Sequence, residues 1–126
     1  MSELSIAEEI ARRTDPDALL KGISPQEMQQ LAYDWRIWQR PKQKTPDGDW
    51  SVWLILAGRG FGKTRTGAEW VKEQVNKGKV GHIALVAATA GDARDTMIEG
   101  ESGLLSVFPN SERPRYEPSK RRITFS

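Results

Sequence analysis

Two stretches of the chain are continuously apolar, Trp53-Leu54-Ile55-Leu56 and Ile83-Ala84-Leu85-Val86-Ala87-Ala88. Runs of this length suit parallel strands covered on both faces. Between them Thr64, Gly67, Ala68, Val71 and Val75 recur at i, i+3, i+4, i+7, the stripe of a helix packed on a sheet. Gly78 supplies its C-terminal cap. Glu69, Lys72, Glu73 and Lys77 fall between these positions and read as solvent-facing. Strand, helix and strand in this order make a right-handed βαβ unit.

Upstream, Ser24-Pro25-Gln26-Glu27 is a capping box with proline at the first helical position. Met28, Leu31, Ala32 and Trp35 continue it at helical spacing, and Pro41 ends it. The pattern predicts one helix of about four turns. Before it, Ile6, Ile10 and Ala11 share a face, Asp15-Pro16 starts a new turn and Gly22 stops it, so one or two short helices are expected within residues 1–21. Downstream, Asp92 and Asp95 lie in the first turn of a helix predicted over about Gly91 to Glu99, as the helix dipole prefers. Leu104, Leu105, Val107 and Phe108 form a short apolar turn before Pro109. Arg115-Tyr116-Glu117 and Arg122-Ile123-Thr124-Phe125 flank Pro118-Ser119-Lys120 and read as a hairpin.

The candidate chemistry sits where the first apolar run meets the central helix, in Ala57-Gly58-Arg59-Gly60-Phe61-Gly62-Lys63-Thr64. The glycines let the backbone take left-handed conformations and turn its amide groups onto an anion. The positive end of the following helix adds to that field. In this reading Lys63 reaches the β- and γ-phosphates of ATP, and the Thr64 hydroxyl coordinates Mg²⁺. Ala57 stands where the G-x-x-x-x-G-K-[ST] pattern has its first glycine, which requires a negative φ there. Arg59 is open between a built-in arginine finger, a contact to DNA or a neighbouring subunit, and a solvated loop side chain. Trp35 and Trp38 are open between an adenine pocket, with Arg40 or Gln43 at its polar edge, and a core stripe with one half-exposed ring. Thr89, at the carboxyl end of the second run, either touches nucleotide or polynucleotide or caps the next helix. The expected fold class is α/β, a partial P-loop NTPase with a parallel βαβ core, N-terminal helices and a C-terminal hairpin. The expected organisation is a helical arm over residues 1–23 and an ATPase portion over 24–126.

Composition narrows this only a little. The chain has 126 residues and a net charge of +2, too small an excess to indicate nucleic acid. Its distribution is uneven: residues 1–30 hold six acids against three bases, whereas residues 111–126 hold five bases against two acids. The basic end is the better candidate for a polyanion contact, beside the plainer reading of a solvated hairpin. Cysteine is absent, which excludes disulfides and Cys-ligated metals. His82 is the single histidine, so a His-based metal cluster is not expected. No signal peptide and no apolar stretch near 18 residues occurs, and the expected location is the host cytoplasm.

A P-loop hydrolase also needs an apolar strand ending in Asp and a carboxylate that orients water. After Lys63 no four-residue apolar run is followed directly by Asp. The expectation is an N-terminal fragment without the catalytic half of its site.

Several segments together resemble the large terminase subunit of tailed phages and prophages. They are Trp35-Arg36-Ile37-Trp38-Gln39-Arg40-Pro41 with Gln43, Gly48-Asp49-Trp50, the block Trp53 to Trp70, and Ile83 to Thr96 with Glu99 to Leu105. The resemblance implies an ATPase that drives double-stranded viral DNA into a procapsid, followed by a nuclease domain. It implies Lys63 and Thr64 as phosphate and Mg²⁺ residues, Arg59 as the loop arginine, and Trp35 to Gln43 as the segment near adenine. It places Thr89-Ala90 where ATP is coupled to DNA. It also implies a small terminase subunit and a portal protein as partners, and a homo-oligomeric ring in the full-length family. Two other readings stand beside it. One is a different P-loop ATPase, helicase-like or a kinase. The other is a non-catalytic truncated protein that binds terminase or portal partners or DNA through its N-terminal helices or basic hairpin.

Overall fold

The computed structural model describes residues 4–13, 15, 17–18, 21–58, 60–78 and 80–125. The chain forms two compact units, Met1–Arg59 and Gly60–Ser126.

The first unit is helical at its start. Helix α1, Ile6–Arg13, opens on Ser5, whose buried hydroxyl accepts from the Glu8 amide at 3.1 Å and donates to the Glu8 carboxylate at 3.2 Å. Ser5 and Glu8 stand at capping-box spacing, a start signal additional to the Ile6, Ile10 and Ala11 face. Of the turn predicted at Asp15-Pro16, Pro16 lies outside the described residues, and Asp15 accepts from the Asp17 amide at 3.1 Å. Helix α2, Pro25–Ala32, begins as its capping box predicts, with the Ser24 hydroxyl accepting from the Glu27 amide at 3.2 Å.

The single four-turn helix predicted from here to Pro41 is not formed. The chain breaks at Tyr33-Asp34 and restarts as α3, Trp35–Trp38. Asp34 is the cause: its carboxylate accepts from the Arg36 amide at 3.1 Å and holds the Arg36 guanidinium at 3.0 and 2.8 Å. A short carboxylate that bonds the backbone ahead of it competes with helix continuation and favours a new N-cap. The expected apolar stripe is correspondingly open: α2 has no buried residue, and Met28 and Leu31 are exposed. Helix α3 packs against α1. Residues 52–57 then alternate, with Trp53, Ile55 and Ala57 half-buried and Val52, Leu54 and Leu56 exposed. That period of two is the side-chain alternation of a strand, and here one side of it is covered.

The second unit is built around α4, Lys63–Lys77, which ends on Gly78 at φ +65° with the glycine amide bonded to Val75. Ala68 and Val71 on this helix meet Leu104, Val107 and Phe108 in the core, with Val75, Ile83, Leu85, Ile123 and Phe125 packed around them. The Phe108 and Phe125 rings lie 5.7 Å apart. Ile83 and Leu85 face this core, whereas Val86 is exposed.

Two of the charges expected on solvent faces of α4 are not there. Glu69 is buried and paired with Arg65 at 2.9 Å, because burying a carboxylate is tolerated only with a charge partner. Lys72 reaches across the core edge, donates to the Val107 carbonyl at 2.9 Å and lies 5.6 Å from the Phe108 ring centroid. Glu73 and Lys77 do form the exposed i,i+4 pair, at 2.7 Å.

After residues 82–87 the chain turns into α5, Ala90–Asp92, which continues as a π-helix over Ala93–Ile98 rather than the α-helix predicted to Glu99. The Glu99 amide bonds to Arg94 O, five residues back, at 2.8 Å. Gly100 and Gly103 fix the following turn against it. A Cβ on Gly100 would lie 2.8 Å from Asp95 O, and one on Gly103 would lie 2.7 Å from Ile98 O. The hairpin at the end is as the sequence predicts: β1, Arg115–Glu117, pairs antiparallel with β2, Arg122–Thr124, in the register Tyr116↔Ile123. β1 and β2 are the paired strands among the described residues. No helix among the described residues is long and apolar enough to cross a membrane.

Candidate functional site

Of the three loop glycines before α4, two take the left-handed conformation expected of them and Gly58 does not. Gly60 has φ +82° and Gly62, the N-cap, has φ +92°. Both angles are strained for a residue with a Cβ, so glycine is required on conformational grounds even though nothing stands within 4 Å of the added atom. Gly62 contributes no side-chain cap, and no acid stands in the first turn of α4. The Gly62 carbonyl accepts from both the Thr66 amide, at 2.9 Å, and the buried Thr66 hydroxyl, at 2.7 Å. Thr66 therefore pins the residue that sets the loop's turn, a role that the spacing of the apolar stripe does not reveal.

Lys63 is the first residue of α4 and is exposed; Thr64 and Phe61 are half-buried. A cation at a helix start, next to left-handed glycines and with no acid in the helix's own first turn, suits a multiply charged anion. The residues present thus fit the phosphates of a nucleotide, with the Thr64 hydroxyl one position on as an oxygen donor for a divalent cation. Gly58 is exposed and Ala57 half-buried. Arg59 lies outside the described residues.

Residues 54–126 match the family described as terminase large subunit, T4-like-virus type, N-terminal. The chain belongs to this family. The terminase match runs from Leu54 through the glycine loop, α4 and the hairpin, and so contains Ala57 to Thr64 entire. It assigns the chain to the phage packaging proteins. No curated protein and no solved structure matches the chain.

The other predicted site residues of this terminase chain lie in the first unit. Trp35 opens α3 and is half-buried; Trp38 closes it, is exposed, and donates its indole N–H to the Leu31 carbonyl at 2.8 Å. Arg40 and Gln43 are brought together across the 3₁₀ turn Pro41–Gln43. The buried Gln43 side chain accepts from the Arg40 amide at 3.0 Å and from the Arg40 guanidinium at 3.3 Å. One aromatic pair was not singled out by sequence spacing: Trp50 and Trp53 meet edge to face at 6.1 Å, with the Trp50 indole donating to Pro46 O at 2.8 Å. The three-residue separation gives no periodic signal for it. Thr89 caps α5, its hydroxyl accepting from the Asp92 amide at 3.0 Å, so the capping alternative is the one formed.

Proposed function

We propose that the segment Ala57 to Thr64 is the ATP-binding loop of a terminase large subunit, part of the motor that moves double-stranded viral DNA into a procapsid. The observation that carries the reading is the pair of left-handed glycines, Gly60 and Gly62, set directly before Lys63 and Thr64 at the start of a 15-residue helix. In the proposed site the amides around Gly58, Gly60 and Gly62 surround the phosphates and Lys63 neutralises the β- and γ-phosphates. Thr64 holds Mg²⁺, which supplies charge neutralisation on the phosphate oxygens when bound. Arg59 is the loop arginine of this reading. Trp35, Trp38, Arg40 and Gln43 are assigned to the adenine end.

The proposed fold is a parallel strand-helix-strand core of a P-loop NTPase. The period-two exposure of residues 52–57 and the packing of Ile83 and Leu85 with α4 support it. The small terminase subunit, the portal protein and further copies of the chain in a ring are the protein partners that this reading carries. Because no four-residue apolar run after Lys63 is followed directly by Asp, the chain is proposed to bind nucleotide without turning it over alone.

Calorimetric titration of ATP with Mg²⁺ into the wild type and Lys63→Ala, with phosphate release followed on the same samples, tests this. The expected result is binding by the wild type, loss of most of it in Lys63→Ala, and phosphate release at the buffer rate in both. Equal affinity in the two proteins would remove Lys63 from the site.

A further inference from the structure

One short segment near the end of the chain, residues 113–125, is strongly basic. Arg113, Arg115, Lys120, Arg121 and Arg122 lie within residues 113–125, where Glu117 is the single acid. Setting these aside from the chain's 19 Lys+Arg and 17 Asp+Glu leaves more acids than bases. This segment is therefore far more basic than the chain as a whole.

The hairpin's register arranges these side chains. Arg115 opposes Thr124 and Glu117 opposes Arg122, so these four share one face, and Tyr116 and Ile123 share the other. Ile123 packs against the core, and Arg115, Arg122 and Thr124 are exposed. Arg115 and Arg122 are diagonal neighbours on the outer face, which sets them roughly 7–8 Å apart. At the tip, Arg121 has φ +50° and is the one described non-glycine residue with positive φ. An arginine there accepts backbone strain that glycine would avoid.

Glu117 pairs with Lys120 at 3.3 Å and with Arg122 at 3.2 Å. Arg113, Arg115 and Arg121 form no ion pair among the described residues. The bases thus exceed what the fold itself uses.

We propose that the outer face and tip of the hairpin, Arg113, Arg115, Lys120, Arg121 and Arg122, form a contact surface for the phosphate backbone of double-stranded DNA. The choice of DNA among polyanions rests on the packaging function proposed above. The surface chemistry selects the duplex. Binding to a single strand relies on aromatic rings for base stacking, and the outer face carries none, because Phe125 packs on Phe108 and Tyr116 lies on the core side. Contacts from arginine and lysine to phosphate oxygens carry no sequence information. The contact is therefore sequence-independent, as a translocated substrate requires.

The test is fluorescence anisotropy of the full chain on short labelled duplexes of different sequence, each over a salt series. The hairpin variant Arg113→Gln/Arg115→Gln/Arg121→Gly removes the three bases that have no ion pair and so spares the Glu117 pairs. The control variant Arg12→Gln/Lys21→Gln/Lys44→Gln removes equal charge from exposed positions elsewhere. The hairpin variant is expected to bind every duplex more weakly and to lower the salt slope by about one for each arginine removed. The control is expected to keep the wild-type slope. Circular dichroism matching the wild type establishes that both variants are folded. An unchanged slope in the hairpin variant, an equal loss in the control, or tighter wild-type binding to single-stranded DNA or duplex RNA overturns the proposal. ATP titration of the same samples separates the two readings: a chain that binds no ATP yet binds duplex through the hairpin retains this inference and loses the nucleotide site.

Discussion

Glu69 and Arg65 form an i,i+4 ion pair on the helix that follows the glycine loop, with the carboxylate buried. Glu69 is 3% exposed and sits one turn after Arg65, the third residue of α4. Replacing Arg65 with Met leaves a buried carboxylate without this guanidinium, and such breaks cost about 3–5 kcal/mol. Urea unfolding of Arg65→Met should show a loss of that order, with Arg65→Met/Glu69→Leu recovering most of it. If the single variant is as stable as the wild type, the pair does not hold the helix. The i,i+4 spacing of the two was visible in the sequence, but spacing alone reports that the residues are neighbours and not that the core closes over them. Gly100 is a parallel case. Its added Cβ would stand 2.8 Å from one backbone carbonyl and 2.9 Å from another, and backbone cannot yield as a flexible side chain does. Gly100→Ala should therefore destabilise by about 1–3 kcal/mol, the usual scale of overpacking, read from the same unfolding curves; an unchanged midpoint would show that the turn adjusts freely.

Among the elements, the ones legible in the sequence are those whose signals are local. The Ser24 capping box, the stripe Ala68-Val71-Val75 with its Gly78 cap, and the two arms around Pro118-Ser119-Lys120 each carry start, face and stop within a few residues. The break at Tyr33-Asp34 and the π-helix at Ala93–Ile98 are decided otherwise. The apolar spacing of Met28, Leu31, Ala32 and Trp35 runs straight past Asp34, whose carboxylate reaches both the Arg36 amide and guanidinium and caps a new turn. The hydrogen-bond register of Ala93–Ile98 is set where Gly100 and Gly103 bring backbone against backbone, a contact with no periodic signature. The hairpin makes its own prediction. The Glu117 carboxyl is held below its ordinary range, first by the Lys120 hydrogen bond and then by that of Arg122. A depressed folded value means that this stabilisation is complete above the unfolded-state value and is lost as pH falls through the folded one. The stability difference between wild type and Glu117→Gln should be constant at neutral pH and vanish in acid below the ordinary carboxylate range. A difference that grows on acidification would contradict the assignment.

At the scale of the whole molecule, the sequence already carried the loop, its helix and the terminase resemblance, and the family match over residues 54–126 bears out that resemblance. Positive φ at Gly60 and Gly62 was legible because only glycine suits those conformations. The buried hydroxyl of Thr66 behind them was not, because threonine at that position reads equally well as a surface residue. In the proposed site, backbone amides of this loop hold the phosphates of a nucleotide. Amide chemical shifts of the isotope-labelled chain, followed as ATP with Mg²⁺ is added, test it most directly. Saturable shifts concentrated at Gly58 to Thr64 are expected in the wild type and are lost in Lys63→Ala. Saturable shifts centred on other residues, with Gly60, Gly62 and Lys63 unmoved, would contradict it.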